Sequence, residues 1–326
     1  MIQAKKHGPV LALAILFAVV LAQPAFGQVP PRFYWKGMNG TNAVPLISMS
    51  LSGNANPADH ANTVLPGSII EADIVIAGYA RLFELFDRSA MIAVLLPMGR
   101  ISGDLTLGGL AFNEQVHGFG DPMVEFDINL IGPDPIRNIP DFMRHEPGFS
   151  LDIMVDLAFP IGEYDNDTPL NIGQNRWYGR VGFPIVWQLG PWVPYRRTTL
   201  EFLPSVWLFG DNDDFVGQEL STDPLFQVEG HLTRNFAKDL WGSLDVSWMN
   251  GGQATLDGDE GEDSDMRGLG FTLGYQLNDH AQLTFGYMAT MGDDEPGDLN
   301  MDRFMISLTF GWHKLIEGMN RIGGES

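Results

Sequence analysis

The chain has 326 residues, 44% of them hydrophobic, with 19 basic side chains against 41 acidic ones for a formal charge of −22, and no cysteine. So acidic a chain lacks the lysines and arginines that displace counterions from nucleic acid, which removes that class of partner, while its apolar and aromatic content is too high for a disordered chain. The missing cysteines rule out disulfides, thiolate metal ligands, a thiol nucleophile and a lipidated cysteine.

Lys5, Lys6 and His7 precede an apolar run from Val10 to Ala22. That run is too short to cross a bilayer as a mature helix but suits a secretory signal, and Ala25 and Gly27 supply small residues at −3 and −1 of a cleavage after Gly27. Residues 1–27 are therefore expected to be a signal peptide on an exported protein. No apolar run of about 18 residues follows, so helical spanning is excluded. Residues 28–43, with Phe33, Tyr34 and Trp35, form a lead that suits either a short stopper inside a barrel or an unstructured approach to the first strand.

From there the chain alternates at period two in segments of about ten residues, as strands with two unlike faces do. Twelve are predicted: 44–52, 69–79, 90–97, 121–131, 149–159, 177–189, 198–209, 224–233, 241–249, 267–277, 281–291 and 302–312. Thus Phe149, Leu151, Ile153, Val155 and Leu157 oppose Ser150, Asp152, Met154 and Asp156, and Phe304, Ile306, Leu308 and Phe310 oppose Met305, Ser307 and Thr309. A soluble sandwich also alternates, but here the large aromatics sit near strand ends: Trp177 and Trp187, Trp248, Tyr275, Phe304 and Trp312. Aromatic girdles at two membrane interfaces place them there, whereas a sandwich core concentrates bulk mid-strand.

The connections alternate as well. Those at 53–68, 98–120, 160–176, 210–223, 250–266 and 292–301 are long, while those at 80–89, 190–197, 234–240 and 278–280 are shorter, with 132–148 as an exception. Long external loops and short periplasmic turns are the outer-membrane pattern. The reading is an all-β, twelve-stranded antiparallel transmembrane barrel over 44–312 followed by a tail, 313–326. Its polar face, assigned to the lumen, takes in Asp127, Asp152, Asp156, Arg180, Glu201, Asp245, Arg267 and Arg303. Acids meeting arginines there would cross-link the interior.

Three motifs follow one another in order: Gly118-Phe119-Gly120-Asp121-Pro122, Asn171-Ile172-Gly173-Gln174-Asn175-Arg176-Trp177, and Asn250-Gly251-Gly252 with Asp257-Gly258. Over roughly 70–312 this set resembles the phenol-degradation meta-pathway (MetA-pathway) family of outer-membrane proteins. The resemblance implies a Gram-negative outer-membrane barrel tied to uptake of small hydrophobic, often aromatic, compounds, with outer-membrane lipid, lipopolysaccharide and the barrel assembly machinery as partners. The chain departs from many such barrels in carrying fourteen residues after Trp312.

The remaining chemistry is sparse. Acids crowd the long loops at 165–167, 211–214, 257–265 and 293–298. Asp257, Asp259, Glu262 and Asp263 make the best oxygen cluster for Ca2+ or Mg2+, although Gly261 and Gly268 fall out of step with an EF-hand and solvated loops explain the charge as well. No cofactor is implied otherwise. Among the histidines past the signal only His231 falls within a strand, where it faces acids such as Glu229, and no Gly-x-Ser-x-Gly or His-Glu-x-x-His occurs. The chain does not look like an enzyme. Asn171, Asn175, Arg176 and Trp177 combine amides, a cation and an aromatic at a strand mouth, either as a rim that orients an aromatic solute or as a structural tie with Trp177 in the girdle. The expected function is passive uptake of small hydrophobic compounds; a structural or adhesive surface protein with cation-binding loops is the alternative.

Overall fold

Period-two alternation yields a closed wall only if every wall strand finds a neighbour on both sides, and here each wall strand does. The computed structural model describes residues 29–315 apart from 62, 66, 108–109, 191–192, 194–195 and 292–298. The expected signal peptide, the whole acid cluster at 293–298 and most of the tail lie outside the described residues. The wall begins with β1 (Asn42–Gly53), β2 (Ile69–Leu85) and β3 (Arg88–Leu107); β4 (Leu110–Phe119) folds back on β3 alone. It continues through β5 (Met123–Ile131), β6 (Phe149–Ala158), the pair β7 (Tyr178–Gly182) and β8 (Ile185–Gln188), and β9 (Thr198–Phe209).

Beyond β9, two short strands, β10 (Asn212–Phe215) and β11 (Gln218–Thr222), leave the wall, which resumes at β12 (Leu225–Asn235) and β13 (Leu240–Gly251). After β14 (Ala254–Leu256) and β15 (Asp259–Glu260) it ends with β16 (Ser264–Gln276), β17 (Ala281–Thr290) and β18 (Met301–Trp312). The last strand pairs with the first without a slip, from Asn42↔Trp312 to Gly53↔Met301, so the meander closes into a twelve-stranded antiparallel barrel.

The barrel is apolar outside and polar within. Leu244, Val246, Trp248, Phe271, Leu273, Tyr275, Ile306, Leu308 and Phe310 are exposed on the outer face, whereas Asp245, Ser247, Thr272 and Ser307 between them are buried. An outward apolar belt of this size would aggregate in water and is satisfied by lipid.

Three expectations need correction. The stretch 98–120 is mostly not loop: β3 and β4 continue as a hairpin in register from Met98↔Phe119 to Leu107↔Leu110. The sixth wall strand is broken at Phe183-Pro184, because Pro184 has no N–H to give; its carbonyl accepts from Asp152 N at 2.8 Å, and Phe183 N donates to Pro204 O at 2.9 Å. Arg267 does not face the lumen. It shares the parity of Leu269 and Phe271, points outward with its side chain 67% exposed, and meets Asp265 at 3.2 Å.

The shorter connections also differ in kind. β2 and β3 meet in a two-residue turn in which Phe86 (φ 52°) and Asp87 (φ 57°) both take left-handed backbone, the hairpin geometry that matches strand twist. The exceptional connection at 132–148 holds a short helix, α1 (Ile139–Arg144), capped by Asn138 accepting from Asp141 N at 2.9 Å. Arg137 beside it ties down the β2–β3 turn through Glu84 at 2.6 Å and Asp87 at 3.3 Å.

Candidate functional site: a lumen narrowed at both ends

The lead segment is a stopper. Residues 29–41 enter the barrel from the short-turn end and dock on the luminal acids. Val29 N donates to Glu229 Oε2 at 2.5 Å, Arg32 N to Glu201 Oε2 at 2.8 Å, and Trp35 Nε1 to Glu201 Oε1 at 2.8 Å. Lys36 pairs with Asp152 and lies 3.8 Å from Asp127. The Arg32 guanidinium is held between Trp35 and Trp241, at 4.3 and 4.1 Å from their ring centres, and Arg197 stacks on Trp35 at 3.6 Å. These cation–π contacts are strengthened by exclusion of water. At the mouth, Met38 bridges Ile136, Asn39 N donates to Ile136 O at 2.8 Å, and His313 Nε2 contacts Asn39 O at 2.9 Å.

The opposite end is covered by the connection 54–68. His60 lies between Tyr178 and Trp207, with ring centres 4.9 Å from each, and its Nδ1 is 3.2 Å from Gln174 Nε2. Burial there pushes the His60 imidazole down to about 4, so the ring is neutral at pH 7. Gln174 Nε2 also donates to Ala58 O at 2.6 Å, Arg176 Nη2 to Asp59 Oδ1 at 3.0 Å, and Asn56 Nδ2 to Asn171 O at 2.9 Å.

Two of the sequence motifs build this latch by docking on each other. Buried Asp121 accepts from Gly162 N and Gln174 N, both at 2.8 Å. Gly173 packs so tightly that a Cβ on it would sit 2.8 Å from the Gly162 carbonyl carbon. The third motif reaches the same place, since a Cβ on Gly252 would lie 3.6 Å from Ala61 O in the covering loop.

The four residues singled out as a solute rim do not converge. Asn171 staples its own loop, accepting from Asp165 N at 2.7 Å and donating to Thr168 O at 2.9 Å. Asn175 is exposed and reaches Asn212 at 3.0 Å. Arg176 points inward, to Asp59 and to Thr222 Oγ1 at 2.7 Å, whereas Trp177 is 52% exposed on the outer face against Phe159. At the entry to β7 the chain turns these two neighbours to opposite sides, Arg176 buried and Trp177 exposed.

Of the polar residues assigned to the lumen, Asp127, Asp152, Asp156, Arg180, Glu201, Asp245 and Arg303 are all buried in the interior. Arg180 joins Asp156 at 2.8 Å to Glu229 at 2.6 Å and stacks over Trp207 at 4.8 Å. Asp257, Asp259, Glu262 and Asp263 are exposed around the β14–β15 turn, and Asp257 Oδ1 accepts from Glu219 N at 2.9 Å. Among the described residues no three carboxylates or histidines come close enough to hold a metal ion.

Between stopper and cover lies a cavity of about 420 Å3, within the range of small-molecule sites. Its walls are unlike. β1–β3 contribute Ile47, Met49, Leu51, Ile74, Ile76 and Leu95, whereas β7, β12 and β16–β18 contribute Tyr178, Gln227, Thr272, Thr284, Arg303 and Ser307. Sequence reasoning found the polar wall by alternation but missed the apolar one, because β1 carries Ser48, Ser50 and Ser52 outward and Ile47, Met49 and Leu51 inward, against the pattern elsewhere. It also missed His60, whose only signal was a histidine beside Asp59 in a long loop.

An apolar-belted closed antiparallel barrel with a polar interior is a transmembrane barrel of the outer-membrane type. The chain belongs to the family described as "Putative MetA-pathway of phenol degradation", whose model matches residues 52–306. Its fold is similar to that of the COG4313 outer membrane channel from Pseudomonas putida F1, with TM-score 0.69 and 18% identity over 87% of this chain and 100% of that one. Lower similarity is found to the transport unit of the autotransporter AIDA-I from Escherichia coli (TM-score 0.48, 8% identity, 94% and 99% covered) and to the toluene transporter TodX from Pseudomonas putida (TM-score 0.43, 10% identity, 89% and 94% covered). No curated protein sequence matches the chain.

Proposed function

We propose that the protein is a passive outer-membrane channel for small hydrophobic compounds, aromatic ones in particular, and that it carries out no chemical step on them. The observation that carries this reading is the luminal cavity of about 420 Å3 with one wall of aliphatic and thioether side chains. A porin lumen for sugars or ions is lined by polar groups throughout, whereas an apolar wall gives a hydrophobic solute somewhere to leave water. Tyr178 and Trp207, with His60 seated on them, add aromatic edges to the lining. Membership of a family described by phenol degradation and likeness to an outer membrane channel support the same reading.

Because stopper and cover both restrict the lumen, passage requires at least one of them to move, and a solute larger than the cavity is refused. Outer-membrane lipid and lipopolysaccharide surround the belt in this reading, with acidic loops facing outward. The test is uptake of labelled phenol and toluene by cells with and without the protein, alongside a disaccharide. Faster aromatic entry with unchanged disaccharide entry is expected; equal entry of all three in both strains overturns the channel reading.

A further inference from the structure

Three cations in the lumen are paired with carboxylates, and Arg32 is stacked between Trp35 and Trp241 close to Glu201. Arg180 lies between Asp156 and Glu229, Arg176 meets Asp59, and Lys36 pairs with Asp152. Arg303 differs. It is only 7% exposed and makes no ion pair among the described residues; its Nε has no hydrogen-bond partner, and its Nη2 reaches only the Met288 sulfur, at 3.9 Å. A guanidinium withdrawn from water without a counter-charge costs several kcal/mol, so a fold that keeps one beside a cavity leaves a place for an anion.

The acids nearest to it do not fill that place. Asp245 is already bound by His231 Nδ1 at 2.8 Å, Ser243 Oγ at 2.5 Å and Thr272 Oγ1 at 2.6 Å. Glu229 takes Arg180 and the Val29 N–H. Arg303 stands at the seam of the two cavity walls, opposite Leu51 of β1 on one side and Met288 of β17 on the other. Met49 and Ile74 lie along the apolar side, and Thr284 and Ser307, paired across β17 and β18, offer hydroxyls along the polar side.

We propose that Arg303 is the receptor for the carboxylate of a small aromatic acid. The planar fork takes both carboxylate oxygens, and the ring lies against Met49 and Ile74. The proposal rests on the channel reading above and narrows its cargo. A neutral aromatic of equal size leaves the guanidinium unpaired, and a phenol, un-ionised near pH 7, does not neutralise it.

Calorimetry on the purified full-length protein in non-ionic detergent compares benzoate with its neutral isostere benzamide. Benzoate is expected to bind about ten-fold tighter or better. Arg303→Gln is expected to abolish that difference, and Arg303→Lys to restore part of it. The wild-type comparison stands even if a variant fails to fold, and heat-modifiable gel migration shows whether each variant does. Equal binding of benzoate and benzamide by the wild type, or benzoate binding undiminished in Arg303→Gln, overturns the carboxylate assignment. Toluene uptake by cells separates this from the parent reading: if the protein speeds toluene entry while the benzoate preference is absent, only the assignment to Arg303 falls. If neither toluene nor benzoate entry is speeded, the channel reading falls and the proposal with it.

Discussion

The imidazole of His60 and the indole of Trp207 lie 4.9 Å apart, ring centre to ring centre, so a residue of an external loop is seated on the barrel wall. Tyr178 flanks the same imidazole at 4.9 Å, and Asp59, Arg176 and Arg180 set the charge around it. Docked, the ring titrates near 4; released into water it returns to about 6.5. The docked loop therefore binds fewer protons, and docking weakens as the pH falls below 6.5, levelling off near 4. The ring retains some access to the cavity, so the loss is about 1–3 kcal/mol rather than the full value of the shift. Conductance of the reconstituted protein is expected to rise between pH 7 and pH 4. His60→Phe, which keeps the stacking without the proton, is expected to flatten that rise. A pH-independent wild type contradicts the latch.

The stopper makes a second prediction. Removing residues 29–38 takes away the Trp35 and Val29 bonds to Glu201 and Glu229 and the Lys36 pair with Asp152. Liposome swelling in a disaccharide is expected to change from undetectable to clearly measurable, while the barrel stays heat-modifiable. Unchanged swelling would place the constriction elsewhere.

Arg180 is the third case. Arg180→Met leaves Asp156 and Glu229 facing each other in the interior without their shared cation, a cost of about 3–5 kcal/mol. The temperature at which the folded gel band disappears should drop markedly. Adding Asp156→Asn and Glu229→Gln should restore most of it, because the triple variant leaves no unpaired charge. A triple variant no more stable than the single one counts against an electrostatic origin.

Gly173→Ala tests the docking of the two motifs. The new methyl would lie 2.8 Å from the Gly162 carbonyl carbon and 2.9 Å from its oxygen, and backbone does not yield as a side-chain tip does. The variant is expected to lose the latch, through displacement of Gln174 from Asp121, and to conduct like wild type at low pH even at pH 7. Wild-type conductance at pH 7 shows that the contact does not hold the loop.

Much of this architecture was legible in the sequence. Alternation located the twelve wall strands, most clearly from β5 onward, where one face meets lipid and the other a polar lumen, and the parity of Asp152 and Asp156 against Val155 and Leu157 needs no tertiary information. Parity also suffices to place Arg267 with Phe271 on the outside, against its assignment to the lumen. The site was less legible. The stopper has no periodicity, since its contacts are to carboxylates some 116 to 200 residues away in the chain. The apolar wall of β1–β3 was hidden because Ser48 and Ser50 on the outer face invert the usual contrast. The cluster at Asn171 to Trp177 was found as a motif, but its role depends on which side chain turns inward, and on Gln174, which was quoted in the motif and not singled out.

The central claim is that a small aromatic solute occupies the cavity between the stopper and His60. Crystals of the full-length protein soaked in 4-bromophenol test it through the anomalous signal of bromine. A bromine peak between Met49 and Trp207, inside the barrel, is the result the account predicts. Peaks confined to the outer apolar belt, with the cavity empty of bromine, would contradict it.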